Sequence, residues 1–140
     1  MSGDLERKRF FQSALKDAEA DFRKNDKDSV ALTRWGGALL ELANFQPGEE
    51  AAAMVDDAVT KFQMALTIEP KKHDTLWCLG NAYTSQGFLS ANRSSALTLF
   101  RKGKVRILIV AVRLQKAVWW FAVAPASTLQ FLELSLLTIL

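Results

Sequence analysis

The chain predicts an all-α fold of antiparallel helix pairs stacked side by side. Three observations carry this prediction. Leu76, Leu79 and Tyr83 stand at i, i+3 and i+7 and form one apolar stripe, and similar stripes run through residues 11–22, 32–42 and 55–66. Gly80 sits within its stripe, where a missing side chain lets a second helix come close. Turn formers, Pro47-Gly48 and Pro70, fall between the stripes.

The elements follow in order. A first helix is expected over residues 4–24, with Phe11, Ala14, Leu15, Ala18 and Phe22 on one face and Lys16, Asp17, Glu19 and Arg23 on the other. Asn25-Asp26-Lys27-Asp28 is a polar break, and Ser29 is the expected N-cap of a second helix over residues 30–44. Leu32, Trp35, Leu39 and Leu42 form its core stripe. Pro47 ends it, because proline has no N–H to donate. Glu49 and Glu50 suit the first turn of a third helix, where the dipole favours anions. That helix continues through Val55, Ala58, Val59, Phe62, Ala65 and Leu66 until Pro70 stops it. Asp74 is the expected cap of a fourth helix reaching Gln86 or Gly87. Residues 90–95 are a polar loop, and a fifth helix begins near Ser94.

Leu76-x-x-Leu79-Gly80-x-x-Tyr83, with Gly87 four places on, is the first half of a tetratricopeptide repeat. Its second half, Ala-x-x-x-Phe and a later proline, stands at Ala58, Phe62 and Pro70. Trp35-Gly36-x-x-Leu39 is in register with Leu79-Gly80-x-x-Tyr83, a period of 44 residues. The standard unit has about 34. The predicted architecture is therefore a tetratricopeptide-like helix-hairpin stack with an elongated first unit. Extra helical turns around residues 46–57 would absorb the surplus. The return helix of the second unit starts late, at Ala96-x-x-x-Phe100. Two units are fewer than the roughly three that such arrays need, so the first helix is expected to serve as a cap.

Charge is unevenly spread. Residues 1–100 hold 12 Lys/Arg against 14 Asp/Glu, whereas residues 101–140 hold 6 against Glu133 alone. The basic balance thus belongs to the tail, and a nucleic-acid partner is not implied. A single cysteine, Cys78, excludes an intrachain disulfide and fits a reducing compartment. Residues 1–11 are charged and show no apolar run of secretory type.

No constellation of catalytic type is present, so the chain is expected not to be an enzyme and to need no cofactor. His73, the only histidine, follows Lys71-Lys72 in a turn and reads as a solvated residue. Cys78 has neither a base and an orienter for nucleophilic work nor partners at metal-ligand spacing, and reads as a buried or groove-lining thiol. Gly36-Gly37 lacks the strand and the Lys-Ser/Thr of a phosphate loop, so close helix packing explains it better.

Certain strings are more specific than a repeat. Leu32-Thr33-Arg34-Trp35-Gly36-Gly37-Ala38-Leu39-Leu40-Glu41-Leu42, then Lys61-Phe62, Ile68-Glu69-Pro70-Lys71-Lys72 and Trp77-Cys78-Leu79-Gly80-Asn81-Ala82-Tyr83-Thr84-Ser85 resemble the plant form of the twenty-kilodalton mitochondrial import receptor of the outer-membrane translocase. The likeness covers about residues 8–100. It implies a receptor on the cytosolic face of the mitochondrial outer membrane that binds presequence peptides and hands precursors to other translocase subunits. Presequences are basic amphipathic helices, which suit an apolar groove with an acidic rim. Repeat register places Arg34, Gly37, Leu40 and Glu41 of the first unit on the concave side, with Trp77, Cys78, Asn81, Thr84 and Ser85 of the second. Glu49-Glu50 and Asp56-Asp57 read either as solvated faces or as the acidic rim. A generic adaptor that clamps acidic chaperone C-termini is the alternative reading, and a truncated product without function is another.

The resemblance fades after Arg101, which divides the chain into a receptor domain, residues 1–102, and a hydrophobic basic tail, residues 103–140. Gly103-Lys104 can be encoded by GGTAAG, a splice-donor string, so translated intron or a shifted frame is one reading of the tail. Membrane contact through residues 105–140 is another. Residues 117–132 are an uncharged run of 16, flanked by Lys116 and Glu133 and interrupted by Pro125. Anchoring in a membrane and packing on the repeats both remain open for this run.

Overall fold

Five helices succeed one another in a computed structural model: α1 (Ser2–Lys24), α2 (Ser29–Ala43), α3 (Gly48–Ile68), α4 (His73–Leu89) and α5 (Arg93–Phe121). The structure describes residues 2–121, with side chains as far as Arg113. Each helix packs against the next, α1 on α2 through to α4 on α5, and α2 also touches α4 lightly. The described chain is therefore all-helical, a stack of hairpins α2/α3 and α4/α5 with α1 laid on the outer side of α2.

Several boundaries differ from expectation for identifiable reasons. Asp28, not Ser29, caps α2: its carboxylate accepts from the Ala31 N–H at 2.9 Å. Ser29 is buried instead, and its hydroxyl donates to the Glu69 carboxylate at the far end of α3. Asp74 lies one residue inside α4 rather than capping it, and Lys72 occupies the cap position. Asp74 accepts from the Thr75 N–H at 2.9 Å and pairs with Lys72 at 3.5 Å. Helix α4 continues past Gly87 to Leu89 because that glycine serves close packing, not termination. A Cβ there would stand 2.6 Å from the Phe100 ring of α5. Asn92 starts α5, its side-chain oxygen accepting from the N–H of Ser94 at 2.9 Å.

The surplus of the first unit is helical, as expected. Helix α3 has 21 residues against 15 in α2, and its added turns begin at Gly48. The core lies where α2, α3 and α4 meet: Leu39, Ala58, Val59, Phe62, Leu79, Ala82 and Tyr83 form one buried cluster. Phe62 is fully buried, and its ring occupies the space that Gly36 leaves, with 2.7 Å to a Cβ built there. Trp35, expected in the core, is half-buried. Its ring packs edge-on against Phe22 at 5.8 Å, and the Lys61 ammonium covers its face at 4.0 Å.

Helix α5 crosses the boundary expected at residue 102 without a break. The first tail residues lie against α4: Gly103 and Val110 are buried, and Ile107 contacts Gly80. Lys102 and Arg106 place their charges 5.7 and 5.6 Å from the centre of the Tyr83 ring. Among the described residues no helix is long and apolar enough to cross a membrane. The run over residues 117–132 extends outside the described residues, and so does the question of an anchor.

Candidate peptide groove

The leading helices of the two units, α2 and α4, are tied at their N-terminal parts. The hydroxyls of Thr33 and buried Thr75 share a hydrogen bond of 2.7 Å. Their C-terminal ends flank a cavity of about 330 Å³ that the start of α3 closes from a third side. Leu40, Ala43, Ala51, Val55, Phe88 and Leu89 make its apolar part. Asn44, Gln46 and Ser85 make its polar edge with Gly48, and Glu49 and Glu50 follow Gly48, both exposed in the first turn of α3. A second hollow of about 230 Å³, lined by Ala52, Asp56, Gln86, Leu89, Ser90 and Leu99, shares Leu89 with the first. There the Gln86 amide donates to the Asp56 carboxylate at 2.6 Å. An apolar floor edged by amides, a hydroxyl and carboxylates suits an amphipathic, basic segment.

Of the nine residues expected on the concave side, Cys78 is half-buried, and Leu40 and Ser85 line the cavity together. Trp77 is 45% exposed, with Asn81 one turn further along the same face of α4. Gly37 faces open space, with nothing near a Cβ built on it. The other three point elsewhere. Arg34 donates to Asp21 at 3.0 Å, and the Glu41 carboxylate pairs with Arg7 at 2.5 Å, so both engage α1. The Thr84 hydroxyl donates to the Gly80 carbonyl at 3.0 Å and lies against Gly103, within the α4/α5 contact.

Phe88 was not among the expected residues, yet it is 78% exposed at the cavity mouth. The signal was present, since Phe88 stands eleven residues after Trp77, three helical turns along the same face. Asn44 and Gln46 escaped notice because they lie beyond α2, in the turn that Pro47 closes.

Among the described residues no group of His, Cys, Asp or Glu could hold a metal ion. Cys78 is half-buried. Burial pushes its thiol above the ordinary range, and the neighbouring Asp74 carboxylate pushes it further the same way. Less thiolate means a weaker nucleophile. Alkylation of Cys78 by iodoacetamide at neutral pH should run severalfold slower than that of a cysteine in a short peptide. Equal rates would contradict this placement.

Residues 5–126 match a family model described as plant-specific mitochondrial import receptor subunit TOM20. The chain is similar to mitochondrial import receptor subunit TOM20-2 of Arabidopsis thaliana, 46% identical over 101 residues, which cover 72% of this chain and 48% of that relative. It is 48% identical over 102 residues to TOM20-4 of the same plant, covering 73% and 54%, and 44% identical over 93 residues to TOM20-3, covering 66% and 46%. The chain thus spans about half the length of the curated relatives it matches. The family match runs past Arg101 into the tail, whereas these pairwise alignments cover at most 102 residues. With more than half of its residues matched, the chain belongs to the plant-specific TOM20 family of mitochondrial import receptor subunits.

Proposed function

We propose that the cavity between the C-terminal ends of α2 and α4 receives the apolar face of a mitochondrial presequence. In this reading the chain is a non-enzymatic receptor on the cytosolic face of the outer membrane. It binds precursors made in the cytosol and passes them to other translocase subunits. The observation that carries the reading is the lining itself: Leu40, Val55, Phe88 and Leu89 form the floor, and Glu49 and Glu50 follow the lining residue Gly48 in the first turn of α3. A basic helix buries its apolar stripe on such a floor and keeps its cations beside the carboxylates. Membership of an import-receptor family supports the same assignment.

An adaptor for acidic chaperone tails would need free cations and amides converging on a carboxylate. Arg34, the cation nearest to that role, is held by Asp21 at 3.0 Å, which disfavours this reading. The test is a titration of the full chain with a labelled presequence peptide and, separately, with an acidic chaperone C-terminal peptide. The presequence should bind saturably, and Phe88→Ser should weaken it about tenfold by removing one exposed aromatic contact. Saturable binding of the acidic peptide alone would overturn the proposal.

A further inference from the structure

Helix α5 has two sides of different character. Gly103, Ile107 and Val110 face α4. At 100° per residue, Leu97, Leu108, Val112, Val105 and Ile109 fall on an arc of about 120° on the opposite side. Leu97 is 57% exposed, and the other four are half-buried. Cations border this arc. Lys104 lies at one edge and Arg101 near the N-terminal end of the arc itself; Lys102, Arg106 and Arg113 lie at the other edge, where Lys102 and Arg106 stand over the Tyr83 ring and one guanidinium nitrogen of Arg113 is buried. Arg101 and Lys104 are exposed.

Over residues 93–121 the helix carries seven Lys/Arg and no Asp/Glu. Among the described residues none of its cations has a carboxylate partner: the ion pairs all lie within α1 to α4 and the turns between them. The acidic residues of the stack therefore do not account for this charge.

We infer that the outward side of α5 docks on the surface of an anionic phospholipid bilayer. An apolar arc between rows of cations is the pattern of a helix lying in the membrane interface. Its aliphatic side chains enter the headgroup boundary, and the exposed heads of Arg101 and Lys104 reach lipid phosphates. Nucleic acid would satisfy the cations and leave Leu97, Val105, Leu108, Ile109 and Val112 without a partner. A bilayer surface accounts for both features. The proposed attachment runs along the helix; among the described residues α5 is not apolar enough to span a bilayer.

Flotation of the full chain with phosphatidylcholine vesicles, with and without phosphatidylserine, tests the inference. Partition should require phosphatidylserine and fall as salt is raised. Each cation near such a surface is worth about fivefold in partition, so Arg101→Gln with Lys104→Gln should reduce it about 25-fold. Leu97→Ser should reduce it as well. These side chains are exposed, so the melting temperature should stay at the wild-type value. Lys16→Gln with Lys27→Gln, two exposed cations distant from α5, should leave partition unchanged. Equal partition on neutral vesicles would overturn the inference, and so would an equal loss in the Lys16/Lys27 variant. Full partition of the Arg101/Lys104 variant, or tighter binding to an RNA oligonucleotide that ignores Leu97→Ser, would do the same.

Discussion

Phe62→Ala should destabilise the fold by about 4 kcal/mol, the range for deleting a fully buried aromatic ring. Among the described residues Phe62 is the largest side chain wholly removed from solvent. Its ring fills the notch left by Gly36 and belongs to the cluster that joins α2 and α3 to Leu79, Ala82 and Tyr83 of α4. The loss therefore combines apolar transfer with a cavity at the junction of three helices, where neighbours cannot all collapse inward. Single domains are stable by only about 5–15 kcal/mol, so a large share of the total is removed. Thermal unfolding followed by circular dichroism should show a midpoint lowered by about 15 °C. A shift below about 5 °C would mean that the junction of the hairpins is not the core of this protein.

Gly103→Val should destabilise by about 3 kcal/mol, and its sign is as informative as its size. In an isolated helix, valine in place of glycine is slightly favourable. Here a Cβ would stand 2.7 Å from the Gly80 carbonyl oxygen and 2.6 Å from the Thr84 hydroxyl. One contact is with backbone, and the other with a short side chain already bonded to the Gly80 carbonyl, so neither yields cheaply. Helices α4 and α5 must separate, which uncovers Val110 and loosens the Tyr83 face. The same substitution decides whether residues beyond 102 belong to the stack. An unchanged or raised melting temperature would mean that they do not pack on α4.

The five helices were legible because each buries one stripe, and a period of 3.6 residues writes that stripe into the sequence. Helix starts were less so. Asp28 and Ser29 are both capping residues, and the choice between them depends on Glu69, forty residues away, which engages the Ser29 hydroxyl. The same limit applies to the groove. Repeat register puts Leu40 and Ser85 on the facing sides of α2 and α4, a relation internal to the repeat, and both line one cavity. It could not show that Arg34 and Glu41 are engaged by α1, nor that Thr84 lies against Gly103, because those neighbours come from outside the two leading helices. Phe88 lies just past the expected end of the fourth helix at Gln86 or Gly87, although its spacing from Trp77 puts it on the open face. The resemblance fades after Arg101, and α5 runs on through that point. A glycine that weakens a helix in isolation also allows the close crossing with Gly80.

The account rests on one cavity as the place where a presequence binds. Amide chemical-shift mapping of the isotope-labelled full chain, titrated with a presequence peptide, tests that most directly. Saturable shifts are expected at Leu40, Asn44, Ser85, Phe88 and Leu89, with smaller ones at Glu49 and Glu50. Saturable shifts confined to α1, or to the outward side of α5, with those positions unmoved, would contradict it.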